Sequence, residues 1–335
     1  MSEFSLIQRF FAEQAGLPGS REGTEQVSGL RVGIGDDCAV LDLAAGEELV
    51  TTTDTLVSGV HFPEDAEAEL IGQRALRVNL SDVAAMGAQA RWFLLSLTLP
   101  DEDENWLEGF SDGLFSAARQ YGCSLIGGNT TRGPLSISIT AFGTVPKGKA
   151  LLRSGARAGD EIYVTGSLGD AAAALGVIGL PDTWGTIPGS QKEATASLIK
   201  RYWQPSPRLA EGLVLRDLAS AAIDISDGLL ADLGHIAKAS DLGAELRLAA
   251  LPQSSALRAA VSNDAERNVL ALAGGDDYEL CFTVHPDKVS VLDGEIAEGR
   301  LIASRVGRMV AGGGMRCYDK NGQEVSFDKS GYQHF

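Results

Sequence analysis

The sequence predicts a two-lobed chain, a strand-rich α+β lobe followed by an α/β lobe. Three observations predict it. At 335 residues the chain is about twice the ~150 residues of a typical domain. Its apolar residues alternate between a strand period and a helix period, so strands and helices are intermixed. A basic, Gly-rich segment, Pro146–Asp160 (PKGKALLRSGARAGD), interrupts the pattern near the middle. The lobes are therefore expected at 1–148 and 149–335.

In the first lobe, Phe4, Leu6, Ile7, Phe10 and Phe11 predict a short amphipathic helix, ended by Gly16 and Pro18. Strand-like runs follow at Cys38–Leu43 and Glu48–Val57, the second rich in Thr and Val. Between Ala66 and Met86, Ile71, Ala75, Val78 and Asp82 share one helical face, and Gly87 is a stop. Arg91–Leu99 reads as a strand. Leu107, Phe110, Leu114, Ala117 and Tyr121 mark a second amphipathic helix. A short strand at Ser124–Ile126, a Gly-rich loop at Gly127–Gly133 and a long alternating strand at Leu135–Val145 complete the lobe.

In the second lobe, strands are expected at Glu161–Thr165, Ala221–Ile225, Ala244–Leu248, Tyr278–Val284 and Val306–Met309. Helices are expected at Ala171–Ile178, Glu193–Tyr202, Pro207–Leu218 and Asp227–Ala239, with a loop at Gly179–Gly189. No fixed-period repeat appears, which excludes solenoids and propellers.

Composition narrows the function. Lys and Arg number 28 against 45 Asp and Glu, a net charge of −17. A surface of that sign repels nucleic acid and anionic membrane. The longest apolar stretch, Trp92–Leu99, contains Ser96 and Thr98 and cannot span a bilayer. The start, MSEFSLIQRF, shows no secretory signal, and Cys38, Cys123, Cys281 and Cys317 form no CxxC pair. A cytoplasmic protein with reduced thiols is expected.

The chemical signal lies in Asp residues beside Gly or at strand ends: Gly35-Asp36-Asp37, Thr52-Thr53-Asp54, Asn79-Leu80-Ser81-Asp82, Asp224-Ile225-Ser226-Asp227-Gly228 and Gly275-Asp276-Asp277. A carboxylate beside an apolar strand is costly to bury without a compensating positive charge. Few Lys or Arg stand near these motifs, so the fitting partner is a hard divalent cation such as Mg²⁺. Any single pair is also the pattern of a turn with solvated carboxylates; the recurrence carries the inference. The glycines of GGNTTRG would let backbone N–H groups meet an anion, with Arg132 adding donors, although a tight turn reads the same way. Arg153 could counter a triphosphate or be a surface charge. His61 could share a cleft with Asp54 or simply pack. No Walker A, HExxH or GxSxG pattern occurs, so a zinc hydrolase and covalent catalysis are unsupported and no general base or nucleophile is expected.

Taken in order, FSLIQRFF, GIGDDCAV, TTTDTLVSGVHF, NLSDVAAMGA, LIGGNTTRGPLS, LLRSGARAGDEIYVTG, AIDISDGLLADLGHI, GGDDYEL and GYQHF closely resemble the thiamine-monophosphate kinase family, over essentially the whole chain. That family belongs to the aminoimidazole-ribonucleotide-synthetase superfamily. The resemblance implies a homodimer whose N-terminal lobes pair through their strands, with ATP lying against the Gly-rich segment. It implies ATP-dependent phosphorylation of thiamine monophosphate to thiamine diphosphate by direct in-line transfer. Asp37, Thr52, Thr53, Asp54, Asp82, Asn129, Asp224 and Asp227 would hold several Mg²⁺ ions. Tyr121, Gly128, Asn129, Arg153 and Ser226 would bind ATP; His61, Asp276 and Tyr332 would line the substrate site. Two residues depart from the family pattern: Asn129 stands where many relatives carry Asp, and Asp276 where Glu is common. Other members of the superfamily, ring-closing synthetases and selenophosphate synthetases, are rivals; nothing before Cys38 supplies the reactive N-terminal Cys of the latter. A non-catalytic metal- or nucleotide-binding regulator would need no acceptor pocket.

Overall fold

A computed structural model describes residues 3–15, 29–180, 192–327 and Gly331. The chain divides into two compact units, Met1–Val83 with Ala88–Gly148 and Ala84–Gly87 with Lys149–Phe335. Together they bear out the mixed α and β architecture.

The first unit comprises α1 (Glu3–Ile7), β1 (Leu30–Val32), β2 (Val40–Leu41), β3 (Glu47–Val57), α2 (Ala68–Ala85), β4 (Gln89–Leu99), α3 (Glu104–Tyr121), β5 (Ser124–Arg132) and β6 (Ser136–Pro146). The last two residues of α2, Ala84 and Ala85, are grouped with the second unit. The four long strands form a sheet in the order β3-β6-β4-β5. Its buried face carries Leu56, Ile137, Ile139, Phe93, Leu95 and Leu97. Helices α2 and α3 approach closely at two glycines: a Cβ on Gly72 would lie 2.2 Å from the Phe110 carbonyl, and one on Gly113 2.0 Å from that of Glu69. Helix α3 shows both of its ends in the sequence. Asp103 accepts from the N–H groups of Asn105 and Trp106, and Gly122 closes the helix in the left-handed region.

Three expectations for this unit are corrected. The first helix gives way to a π-helical turn at Gln8–Ala12, which buries both Phe10 and Phe11; its expected stop at Gly16 and Pro18 lies outside the described residues. Of the run Cys38–Leu43 only Val40–Leu41 is strand, paired with Leu30–Val32. The Gly-rich loop is a strand: β5 runs through Gly127 to Arg132, parallel to β4. β-Branched Thr130 and Thr131 favour extended backbone. Gly128 also lets β5 approach its neighbour, since a Cβ there would stand 1.9 Å from the Leu95 carbonyl. Glycine marks a close approach here, not a turn.

The second unit contains β7 (Glu161–Thr165), α4 (Asp170–Ile178), α5 (Lys192–Trp203), α6 (Leu209–Leu215), β8 (Ala219–Ile225), α7 (Leu229–Ala239), β9 (Gly243–Arg247), α8 (Ser255–Ala260), α9 (Asp264–Ala273), β10 (Glu279–Val284), α10 (Val289–Ala297), β11 (Ala303–Val310), β12 (Met315–Tyr318) and β13 (Glu324–Val325). Seven strands form one sheet, ordered β13-β12-β9-β11-β7-β10-β8. Both faces are covered: Ile223 and Cys281 join a core with Leu229, Leu233 and Ile236 of α7, while Ala222, Leu280 and Phe282 join Leu215 and Leu292. Burial on both sides explains why every residue of β10 is buried rather than every second one, with Glu279 and Thr283 the only polar residues among its six. The expected loop at Gly179–Gly189 falls almost wholly outside the described residues. Among the described residues no helix is long and apolar enough to cross a membrane.

Candidate functional site

In the first unit, β3 and α2 are stitched together by residues of two predicted motifs, TTTD and NLSD. Asn79 and Asp82, one helical turn apart, meet Asp54 and Thr52, two apart on one face of the strand. The Asp54 N–H donates to Asn79 Oδ1 at 3.0 Å, and Thr52 Oγ1 donates to Asp82 Oδ2 at 2.5 Å. Asn79 is 1% exposed and donates its amide to the Ala75 carbonyl at 2.9 Å. Spacing of three on the helix matches spacing of two on the strand, which is what allows a double attachment.

Strand alternation sends the neighbouring candidates elsewhere. Thr53 leaves β3 on the opposite face, where its hydroxyl donates to the Ile139 carbonyl and accepts from Thr140. Asn129 lies on that same face, exposed, in the register row Thr55–Ser138–Ser96–Asn129. Three strand spacings separate Thr55 from Asn129, ~14 Å. Gly128 lies one residue away on the same edge strand. Asp37 is exposed in the turn between β1 and β2, its N–H donating to Asp36 Oδ1 at 2.8 Å. His61 Nδ1 accepts the Val57 N–H at 3.0 Å, which places any proton of the neutral ring on Nε2. Tyr121 is held under Arg77, whose guanidinium donates to its hydroxyl at 2.8 Å and stacks 5.2 Å from the ring centroid.

In the second unit, β8 delivers Asp224, 5% exposed, opposite Leu280 of β10. Ser226 and Asp227 follow in a loop pinned by the backbone of Gly275–Tyr278. The Asp276 N–H donates to the Ser226 carbonyl at 2.7 Å and the Tyr278 N–H to that of Ile225 at 2.8 Å. Contact is close enough that a Cβ on Gly275 would lie 2.6 Å from the Ser226 carbonyl. Asp276 and Tyr278 both adopt positive φ, 62° and 49°, strain that each residue carries at a cost of about 1–3 kcal/mol. On its other side the loop is met by Asp232 of α7, whose Oδ2 accepts the N–H groups of Ser226, Asp227 and Gly228. Burial, and then the charge of Asp227, push Asp232 up to about 7 against the pull of those three donors.

Next to the loop in sequence lie buried ionisable groups. Asp277 is fully buried, accepts the Gly169 N–H at both oxygens, 2.9 and 3.0 Å, and is pushed well upward by burial. Glu279 is held by Arg201, by Arg208 at 2.5 and 2.6 Å, and by the Thr165 hydroxyl at 2.6 Å. Arg153 is exposed in a segment without regular structure. Tyr332 lies outside the described residues.

Among the described residues, no three His, Cys, Asp or Glu side chains converge as a ready-made metal cage. The donors present are nevertheless those of a hard cation: carboxylate, hydroxyl and amide oxygens. Mg²⁺ is commonly held by one or two carboxylates together with water and substrate phosphates, and needs no all-protein cage. The set fits that mode. Asn79 and Asp232, which sequence reasoning does not assign, are the residues that fix the others in place. Their signal is spacing: Asn79 stands three before Asp82, Asp232 one turn beyond Gly228.

Comparison with known proteins agrees in extent and order. The AIR synthase related protein N-terminal domain family matches residues 35–145, and its C-terminal domain family matches 157–320. A thiamine-monophosphate kinase of Escherichia coli O157:H7 is 48% identical over 334 residues, 99% of this chain and 98% of that protein. The crystal structure of a thiamine-monophosphate kinase from Stenotrophomonas maltophilia K279a superposes with a TM-score of 0.81 at 45% identity, covering 97% and 98% of the two chains. The structure of AaThiL complexed with AMPPCP and TMP superposes with a TM-score of 0.75 at 31% identity, covering 88% and 89%.

Proposed function

The chain belongs to the thiamine-monophosphate kinase family, and on that premise we infer what its residues contribute to the phosphoryl transfer. The enzyme uses ATP to phosphorylate thiamine monophosphate, giving thiamine diphosphate. The observation that carries this is identity of 48% across 99% of the chain, joined to a relative that binds AMPPCP and TMP together.

The acceptor is a phosphate oxygen. The second pKa of a phosphomonoester is about 6, so that oxygen is already ionised near neutrality and needs no base. This suits a site supplied with Asp and not with a nucleophile–base pair. The obstacle is repulsion between two polyanions, and bound Mg²⁺ would supply the neutralising charge and align the in-line transfer. Asp37, Thr52, Thr53, Asp54, Asp82, Asn129, Asp224 and Asp227 are the residues to hold it. Asp54 and Asp82 are supported by their fixed backbone and hydroxyl attachments, Asp224 by its burial at a strand end. Tyr121, Gly128, Asn129, Arg153 and Ser226 are assigned to ATP, and His61, Asp276 and Tyr332 to thiamine monophosphate. The first unit supplies most of the residues assigned to ATP and Mg²⁺. We further infer a cytoplasmic homodimer joined through its first units. Supporting this is the half-exposed sheet face lined with Thr51, Thr53, Thr55, Ser96 and Ser138; a sedimentation mass of one chain would overturn it.

Incubation with ATP, Mg²⁺ and thiamine monophosphate should yield thiamine diphosphate and ADP; absence of product from folded protein overturns the assignment. The Asn129 departure provides a finer test. An amide oxygen can ligate Mg²⁺ without bringing charge, so Asn129→Asp should lower the half-saturating Mg²⁺ concentration about fivefold, on the order of 1 kcal/mol. A raised ATP Michaelis constant with unchanged Mg²⁺ dependence would show instead that Asn129 donates to a phosphate.

A further inference from the structure

Three consecutive backbone N–H groups, those of Ser226, Asp227 and Gly228, converge on one oxygen, Asp232 Oδ2, at 3.1, 3.1 and 3.2 Å. Successive amides curled around one point form an anion cradle, a shape that in other loops receives phosphate. Here the chain fills it from within. Asp232 is 3% exposed, and its own N–H donates to the Gly228 carbonyl at 3.0 Å. Side chain and loop therefore close a ring across the start of α7. Gly228 has no room for a side chain, since a Cβ would lie 2.9 Å from Ala273 Cα, so the helix start takes its cap from Asp232 instead. The opposite side of the loop is pinned at the carbonyls of Ile225 and Ser226, by the N–H groups of Tyr278 and Asp276.

We propose that Asp232 is a positioning residue for phosphoryl transfer: it closes the amide cradle to phosphate, so the loop meets the nucleotide through the side chains of Asp224, Ser226 and Asp227 and the cations they hold. This rests on the assignment of those three residues to Mg²⁺ and ATP. Without the carboxylate, the three amides are released while the carbonyl side stays pinned. The loop can then twist, and a phosphate oxygen can enter the cradle without a cation between. Groups that orient metal ligands from behind are worth about 10–100-fold in metal affinity or activity when removed.

Asp232→Asn keeps the shape, but its neutral amide oxygen holds the three N–H groups more weakly than a carboxylate does. Its half-saturating Mg²⁺ for thiamine diphosphate formation should rise about tenfold at fixed ATP, while the Michaelis constant for thiamine monophosphate moves less than twofold. A merely structural role would lower the melting temperature and leave the Mg²⁺ curve superimposed on that of wild type, which overturns the proposal. Hydrogen exchange on the wild-type protein gives a reading that needs neither turnover nor a folded variant. The amides of Ser226, Asp227 and Gly228 should be protected without ligand and gain nothing from Mg²⁺ with AMPPCP. Exchange at open-loop rates, or protection that appears only with AMPPCP, would overturn the proposal whatever the enzyme phosphorylates.

Discussion

Asp82→Asn should reduce kcat/KM for thiamine diphosphate formation by about 10³-fold, roughly 4 kcal/mol of transition-state stabilisation. The substitution is nearly isosteric and Asp82 sits on the rim of α2 rather than in its core, so the fold should survive. Thr52, which donates to Asp82 Oδ2, can still donate to an amide oxygen. What is lost is one unit of negative charge at the point where β3 and α2 are tied. Loss of a carboxylate that faces a divalent cation removes several kcal/mol of charge stabilisation. Steady-state kinetics at saturating Mg²⁺, alongside a thermal melt, reads both parts. Activity within about tenfold of wild type, a loss of only ~1.4 kcal/mol, would take Asp82 out of the metal set.

The second large effect is on stability. Glu279→Ala should destabilise the second unit by about 3–5 kcal/mol, because it removes the buried carboxylate shared by two largely desolvated guanidiniums, leaving Arg208 only Glu211 as a charged partner. Glu279 is completely buried, and both Arg201 and Arg208 are mostly buried against it. Burial alone would lower the pKa of Arg208, yet hydrogen bonding and charge from Glu279 outweigh it and the net shift is upward. Arg201 also donates to the Asp277 carbonyl at 2.8 Å, so the damage should spread to the turn carrying Asp276. For a unit of this size the loss corresponds to a melting temperature lower by roughly 10 °C. Urea unfolding of the variant settles it: a change under about 1 kcal/mol would mean that water reaches the pair and that the burial is not what holds it.

How much of this was legible differs from element to element. Helix α3 could be read nearly end to end because its cap at Asp103, its apolar face and its closing Gly122 all speak locally. The strand β5 could not, because Gly127 and Gly128 look like a turn until a neighbouring carbonyl is known to need the space. Helices α8 and α9 went unread although Ser254 and Asn263 cap them; their few turns are too short for periodicity to stand out. For the site, the residue types and the two motifs TTTD and NLSD were visible, and their pairing follows from matching a helical turn to a strand repeat. The distribution of Thr52 and Thr53 to opposite faces was equally available from alternation. Asp232 was not, since a carboxylate inside an amphipathic helix resembles any solvated one until three N–H groups are seen to meet it.

The close crossing of α2 and α3 matters for reading mutational surveys. At Gly72 and Gly113 a methyl group would stand 2.2 and 2.0 Å from backbone of the other helix, so even alanine must drive the helices apart. A growth-based scan would score both positions as intolerant as Asp82, and a map drawn from such scores would place two glycines in the active site. The distinction is in what remains in the cell: variants at Gly72 or Gly113 should leave little intact protein, with normal turnover per surviving molecule, whereas Asp82→Asn should leave abundant protein that does nothing.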